Sequence, residues 1–162
     1  MKLKLVCAMV SFHLMALNAF GQMGTQKEAL RGLSGFSVAV QSLSKTVMTD
    51  DQLRLKVELR MRRAGITVNE CKPGATCLPQ LYVKLVSIGM AGEFDVKYSL
   101  ITVEFNNSVL STTQPARRLI ATVWLSDDSV LTLKNEYGPL GDKIDELIDG
   151  LANDYLAVNP KH

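Results

Sequence analysis

Apolar and polar residues along this chain alternate with two different periods, and the changes of period mark its elements. Phe36, Val38 and Val40 alternate with Ser37, Ala39 and Gln41, the period-two pattern of a half-buried strand. Leu53, Leu55, Val57, Leu59 and Met61 alternate just as regularly, but their flanks argue for a helix. Thr49-Asp50-Asp51-Gln52 matches a capping box, in which Thr49 accepts from the backbone of the third helical residue and Gln52 reaches back to the cap. Ala64-Gly65 supplies a C-terminal stop. Wound as a helix, Leu53, Val57, Met61 and Ala64 share one face, with Leu55 and Leu59 nearly opposite.

Residues 66–68 read as a short strand, and residues 81–88 as a longer one. In the longer strand Tyr82, Lys84, Val86 and Ile88 share the face opposite Leu81, Val83 and Leu85. Gly89 and Gly92 bracket a turn. Phe94, Val96 and Tyr98 then alternate with polar residues until the phase reverses near Leu100-Ile101, which predicts a bulge there. Residues 106–117 read as a polar loop and residues 119–125 as a strand holding the sole tryptophan, Trp124. Asp127-Asp128-Ser129 reads as a turn, with residues 130–133 returning as a hairpin partner. Leu140, Ile144, Leu147, Ile148, Leu151, Tyr155 and Val158 fall on one helical stripe, Asp142, Asp145, Glu146, Asp149 and Asn153 lie opposite, and Pro160 ends the helix. The order strand, helix, several strands, helix predicts an α+β domain: an antiparallel sheet of about five to six strands with two helices packed on one face.

The N-terminus changes the reading of charge and compartment. Lys2 and Lys4 precede an apolar run over residues 5–17, and Ala19 and Gly21 are small residues placed for cleavage. This is the order of a secretory signal peptide, residues 1–21, with an apolar stretch too short to span a bilayer. Cys7 has no lipobox around it. The domain expected is then residues 22–162, periplasmic or secreted, with no transmembrane segment after cleavage. The whole chain has 18 basic and 16 acidic residues. Without Lys2 and Lys4 the balance is neutral, so the electrostatic footprint of a nucleic-acid binder is missing. Cys71 and Cys77 remain, enclosing Lys-Pro-Gly-Ala-Thr. In an oxidising compartment they read as a local disulfide contributing roughly 2 kcal/mol, with Pro73-Gly74 turning the loop.

Several phrases in this order resemble a group of small exported bacterial proteins to which no activity is attached. They are Leu30-x-x-Leu33-x-x-Phe36, Val57-Glu58-Leu59-Arg60 with Ala64-Gly65-Ile66, Leu81-Tyr82-Val83, Ala121-Thr122-Val123-Trp124, and Asn153-Asp154-Tyr155-Leu156 followed by Asn159-Pro160-Lys161. The resemblance covers nearly the whole chain after the leader and implies export and an α+β fold; the cysteine-closed loop departs from it. The element order is also similar, at the level of fold alone, to periplasmic accessory domains such as the N-terminal domain of TolB.

Candidate chemistry is sparse. His13 belongs to the leader and His162 is the last residue, which leaves no histidine placed to serve a nucleophile or hold zinc. Ser42-Leu43-Ser44-Lys45 matches Ser-x-x-Lys, but it ends a strand, whereas that chemistry needs the lysine one helical turn after the serine. The carboxylates of the last helix lie on one stripe and read as a solvated face, as Asp127-Asp128 reads as a turn. We therefore expect no catalytic residues, no metal site and no cofactor. The expected function is a non-enzymatic envelope module whose sheet face or first helix binds another envelope protein or itself. Leu55 and Leu59 form the candidate interface, with Lys56, Arg60 and Arg63 beside them as an anion-facing row or as partners of the acidic last helix. The alternative is a small apolar or lipid ligand on the open sheet face near Tyr82, Val86 and Ile88.

Overall fold

The structure, a computed structural model, describes residues 26–43, 47–72, 75, 77–90, 96–111, 115–133 and 136–160. The leader, Ser44 and Lys45, the Pro73-Gly74 turn, Gly92, Phe94 and both histidines lie outside these residues.

Strand β1 (Phe36–Ser42) leads to helix α1 (Asp50–Arg63), then to β2 (Val68–Asn69), β3 (Gln80–Met90), β4 (Val96–Leu110), β5 (Arg118–Leu133) and helix α2 (Gly138–Val158). The five strands form one sheet in the order β2-β1-β3-β4-β5. The fold is α+β with both helices on one face. The sheet is mixed, which corrects the antiparallel expectation: β1 is parallel to both β2 and β3. The reason is topological. The helix between β1 and β2, and then the connection between β2 and β3, each return the chain to the starting end of the sheet, so β2 and β3 run alongside β1 in its own direction.

Local chemistry sets α1. Gln52 N–H donates to Thr49 Oγ1 (3.3 Å) and Thr49 N–H donates to Gln52 Oε1 (2.9 Å), completing the capping box. Gly65 ends the helix with φ at 77°, a conformation that favours glycine. Leu53, Val57 and Met61 are buried and Ala64 is half-buried, so the period-two alternation of this segment was coincidental to its fold.

Several boundaries differ from the sequence reading, including the short strand read at residues 66–68, which is β2 at Val68–Asn69. Asp127-Asp128-Ser129 is not a turn, because β5 runs unbroken from Arg118 to Leu133 and pairs with β4 along its length. Asp128 is held there by Lys143 of α2, at 2.9 Å, an attachment invisible to local turn propensity. The stretch assigned to a polar loop, 106–117, starts instead as strand, since β4 continues to Leu110. The bulge lies between Phe105 and Asn106, with Val123 as the extra residue on β5, and not at Leu100-Ile101. Pairing of β4 with β3 is regular through residues 100 and 101. The apparent phase reversal arises because Tyr98 and Leu100 are apolar on the open face, while Ser99 is a buried polar residue on the helix face. Gly89 likewise belongs to β3.

Phe36, Leu81, Val83, Leu85, Ile101, Val103 and Phe105 face the helices and are fully buried with Leu140, Ile144, Ile148 and Leu151 of α2. The N-terminal lead is tied to the end of α2: Asn159 Nδ2 donates to Leu30 O (2.8 Å) and Gly32 N–H to Asn159 Oδ1 (2.6 Å). Gly35 is buried with φ at 155°, and a Cβ there would sit 2.7 Å from the Thr67 carbonyl oxygen. Gly35→Ala is therefore expected to lower stability by about 2 kcal/mol, measured by urea unfolding; an unchanged midpoint would show that the β1–β2 contact yields freely.

Candidate functional site

The two helices share a row of ion pairs. Lys56 Nζ lies 2.8 Å from Asp145 Oδ2, and Arg60 forms a two-pronged contact with Asp149 while also approaching Asp145 at 3.8 Å. On the helical wheel Lys56 and Arg60 flank the buried stripe of α1, and Asp145 flanks that of α2, so packing the stripes side by side brings these flanks together. Lys56 and Arg60 are therefore engaged within the domain, and Asp145 and Asp149 are not a solvated face. Arg63 is exposed. The other flank of α2 meets β5: Lys143 reaches Asp128, and Asp154 accepts from Trp124 Nε1 at 3.0 Å. The role of Asp154 as an anchor for the tryptophan has no local signal in the sequence.

Arg60 holds the Asp149 carboxyl below its ordinary value, through its hydrogen bond first and its charge second. A depressed carboxyl contributes stability that is present above the unfolded value near 4 and is lost as pH falls through the lower folded value. Asp149→Asn is thus expected to melt below the wild type at pH 7, with the gap closing below about pH 4. Thermal melts across that range check it; a gap independent of pH would mean the contact acts through packing alone.

Leu55 and Leu59 point away from the core, 58% and 40% exposed. Charged residues surround the pair, with Asp51, Arg62 and Arg63 also exposed, so they form a narrow apolar strip and not a broad face.

The opposite face of the sheet carries more. Among the described residues no helix lies on it. In register, Ile88 of β3 stands opposite Tyr98 of β4, and Tyr98 opposite Leu131 of β5. The next positions along the same face pair Val86 with Leu100, and Val96 with Leu133. Ile88, Tyr98, Leu131 and Leu133 are exposed, and Val86, Val96 and Leu100 half-buried. These residues form one apolar patch across three strands, larger than scattered surface leucines would give. The row Lys84–Thr102–Asp127 bounds it. Tyr82 shares the face but lies beyond that row, where its hydroxyl donates to Gln41 Oε1 at 2.6 Å. Val86 and Ile88 belong to the patch; Tyr82 does not.

The cysteines are joined by a disulfide, with Cα atoms 5.9 Å apart. Their loop links β2 to β3 and lies against Ser37, whose hydroxyl donates to Cys77 O at 2.6 Å. Cavities of about 450 and 240 Å³ flank this loop, lined by Val38, Arg54 and Cys71 with neighbouring charged residues, and another of about 690 Å³ lies over the inter-helix ion pairs. The Ser42 hydroxyl donates to Met48 O at 2.6 Å. Among the described residues no cluster of three or more His, Cys, Asp or Glu is placed to hold a metal, and no helix is long and apolar enough to cross a membrane.

No protein-family model matches the chain, and no curated protein matches it. Among solved structures it is similar to a PelC dodecamer from Paraburkholderia phytofirmans, at 14% identity over 77% of this chain and 92% of that one, with a TM-score of 0.41. It is also similar to a minor lipoprotein from Acinetobacter baumannii, at 15% identity over 77% of this chain and 95% of that one, with a TM-score of 0.33.

Proposed function

We propose that this chain is an exported, non-enzymatic module of the bacterial envelope that binds another protein through the apolar half of its open sheet face. The observation that carries the reading is the in-register patch of Ile88, Tyr98, Leu131, Leu133 and their half-buried neighbours. Leaving this apolar surface in water is unfavourable, and a partner surface that covers it gains the burial free energy. The patch is a sheet surface, and the described cavities lie elsewhere. Small-molecule sites are concave and enclose most of their ligand, so a broad complementary surface suits this face better than a lipid or small apolar molecule. Export is supported by the leader pattern and by the Cys71–Cys77 bridge.

The test is photo-crosslinking in cells from positions 98 and 131, with positions 55 and 59 on α1 as comparison. Capture of one recurrent envelope protein from the sheet positions supports the reading. Capture from 55 and 59 only would move the interface to α1. Lipid as the sole adduct at 98 and 131 would replace it with the small-ligand reading.

A further inference from the structure

We propose that the edge of β5 left unpaired among the described residues pairs with the same edge of a second copy of this chain, antiparallel about a two-fold axis between Thr122 and Val123. This surface is distinct from the apolar patch, and the proposal stands or falls separately from the reading above. β5 is the last strand of the sheet. Past the Gln80–Asn106 pair, β4 and β5 continue without β3 as a two-stranded ribbon that exposes Leu110, Leu119 and Ile120. Such a ribbon is marginal in water without further strands.

The occupant follows from the pattern along this edge. Arg118 stands at one end and Asp127 near the other; both are exposed, and among the described residues neither forms an ion pair. They are nine positions apart on one extended strand, roughly 30 Å at the rise of a strand, so they cannot meet within one copy. In a regular strand residues 118 and 127 would also point to opposite faces. The bulge at Val123 reverses the phase, so Arg118 and Ile120 share the open face with Leu125 and Asp127. A two-fold between residues 122 and 123 then sets Arg118 opposite Asp127, and Ile120 opposite Leu125, twice over. The same register places Arg117 opposite Asp128 on the other face, where Lys143 already holds Asp128, so the complementarity rests on Arg118 and Asp127. Aspartates on an edge ordinarily oppose sheet extension; here each meets an arginine of the second copy, and that complementarity selects self-pairing over a foreign strand. Leu131 and Leu133 lie beyond the paired stretch and stay open.

The experiment is sedimentation equilibrium on the protein produced from its full-length sequence, with a charge-swap series. Arg118→Asp alone and Asp127→Arg alone are each expected to weaken self-association by roughly tenfold or more, since every dimer then faces like charges at two places. The combined variant is expected to return to near the wild-type constant. In the otherwise wild-type background, copies carrying Ile120→Cys should cross-link to copies carrying Leu125→Cys and not to copies carrying Leu131→Cys, which reads the register without any charge change. A wild-type chain monomeric at all concentrations, a dimer indifferent to both reversals, or the wrong cross-link would each overturn the proposal.

Discussion

Phe36→Ala is expected to cost about 4 kcal/mol of folding free energy, within the range for emptying a large buried aromatic site. Phe36 is fully buried at the start of β1, where it meets Phe105 of β4 edge-on at 5.1 Å and Tyr155 of α2 edge-on at 5.8 Å. One side chain thus joins β1, β4 and the last helix. Tyr155 also donates its hydroxyl to the Leu33 carbonyl at 2.5 Å, so the void would lie beneath the anchor of the N-terminal lead. With a domain stability of roughly 5–15 kcal/mol, the variant would lose a large share of it and melt on the order of 10–15 °C lower. Urea unfolding checks the value. A loss under about 1 kcal/mol would mean that the surrounding side chains collapse into the space.

Tyr98→Asp combined with Leu131→Asp is expected to abolish partner capture while leaving the fold in place. Both residues are exposed on the open face and stand in register with one another. The substitutions therefore remove no core contact, but they put two carboxylates at the centre of the proposed interface, where burying unpaired charge is prohibitive. Circular dichroism should be unchanged, and crosslinking from position 88 should fall to background. The matching pair Leu55→Asp and Leu59→Asp, also on exposed positions, is expected to leave capture intact. If the α1 pair abolishes capture and the sheet pair does not, the interface belongs to α1.

Several features were legible from local chemistry. The capping box at Thr49 and Gln52 overrode a misleading alternation of apolar residues, because orphan backbone groups at a helix start must be satisfied locally. The stripe of α2 and the short separation of Cys71 and Cys77 were readable for the same reason: their partners lie within a few turns or residues. The exposed character of Leu55 and Leu59 followed from the helical wheel once the buried stripe was placed.

What the sequence by itself determined is the identity of the helices, the alternating strands, the buried stripes and the bridged loop, since each follows from a period or a spacing along the chain. Only the tertiary structure decided the mixed sheet, the continuity of β5 through Asp127 and Asp128, the bulge opposite Phe105, and the apolar patch assembled from three strands. Lys56 and Arg60 could be read as free cations or as partners of α2; the side-by-side placement of the two helices chose between these. The physical reason is common to all of them. Strand direction, register and ion pairing depend on residues tens of positions apart, and a strand carries in its own sequence no record of which edge or face its neighbours will cover.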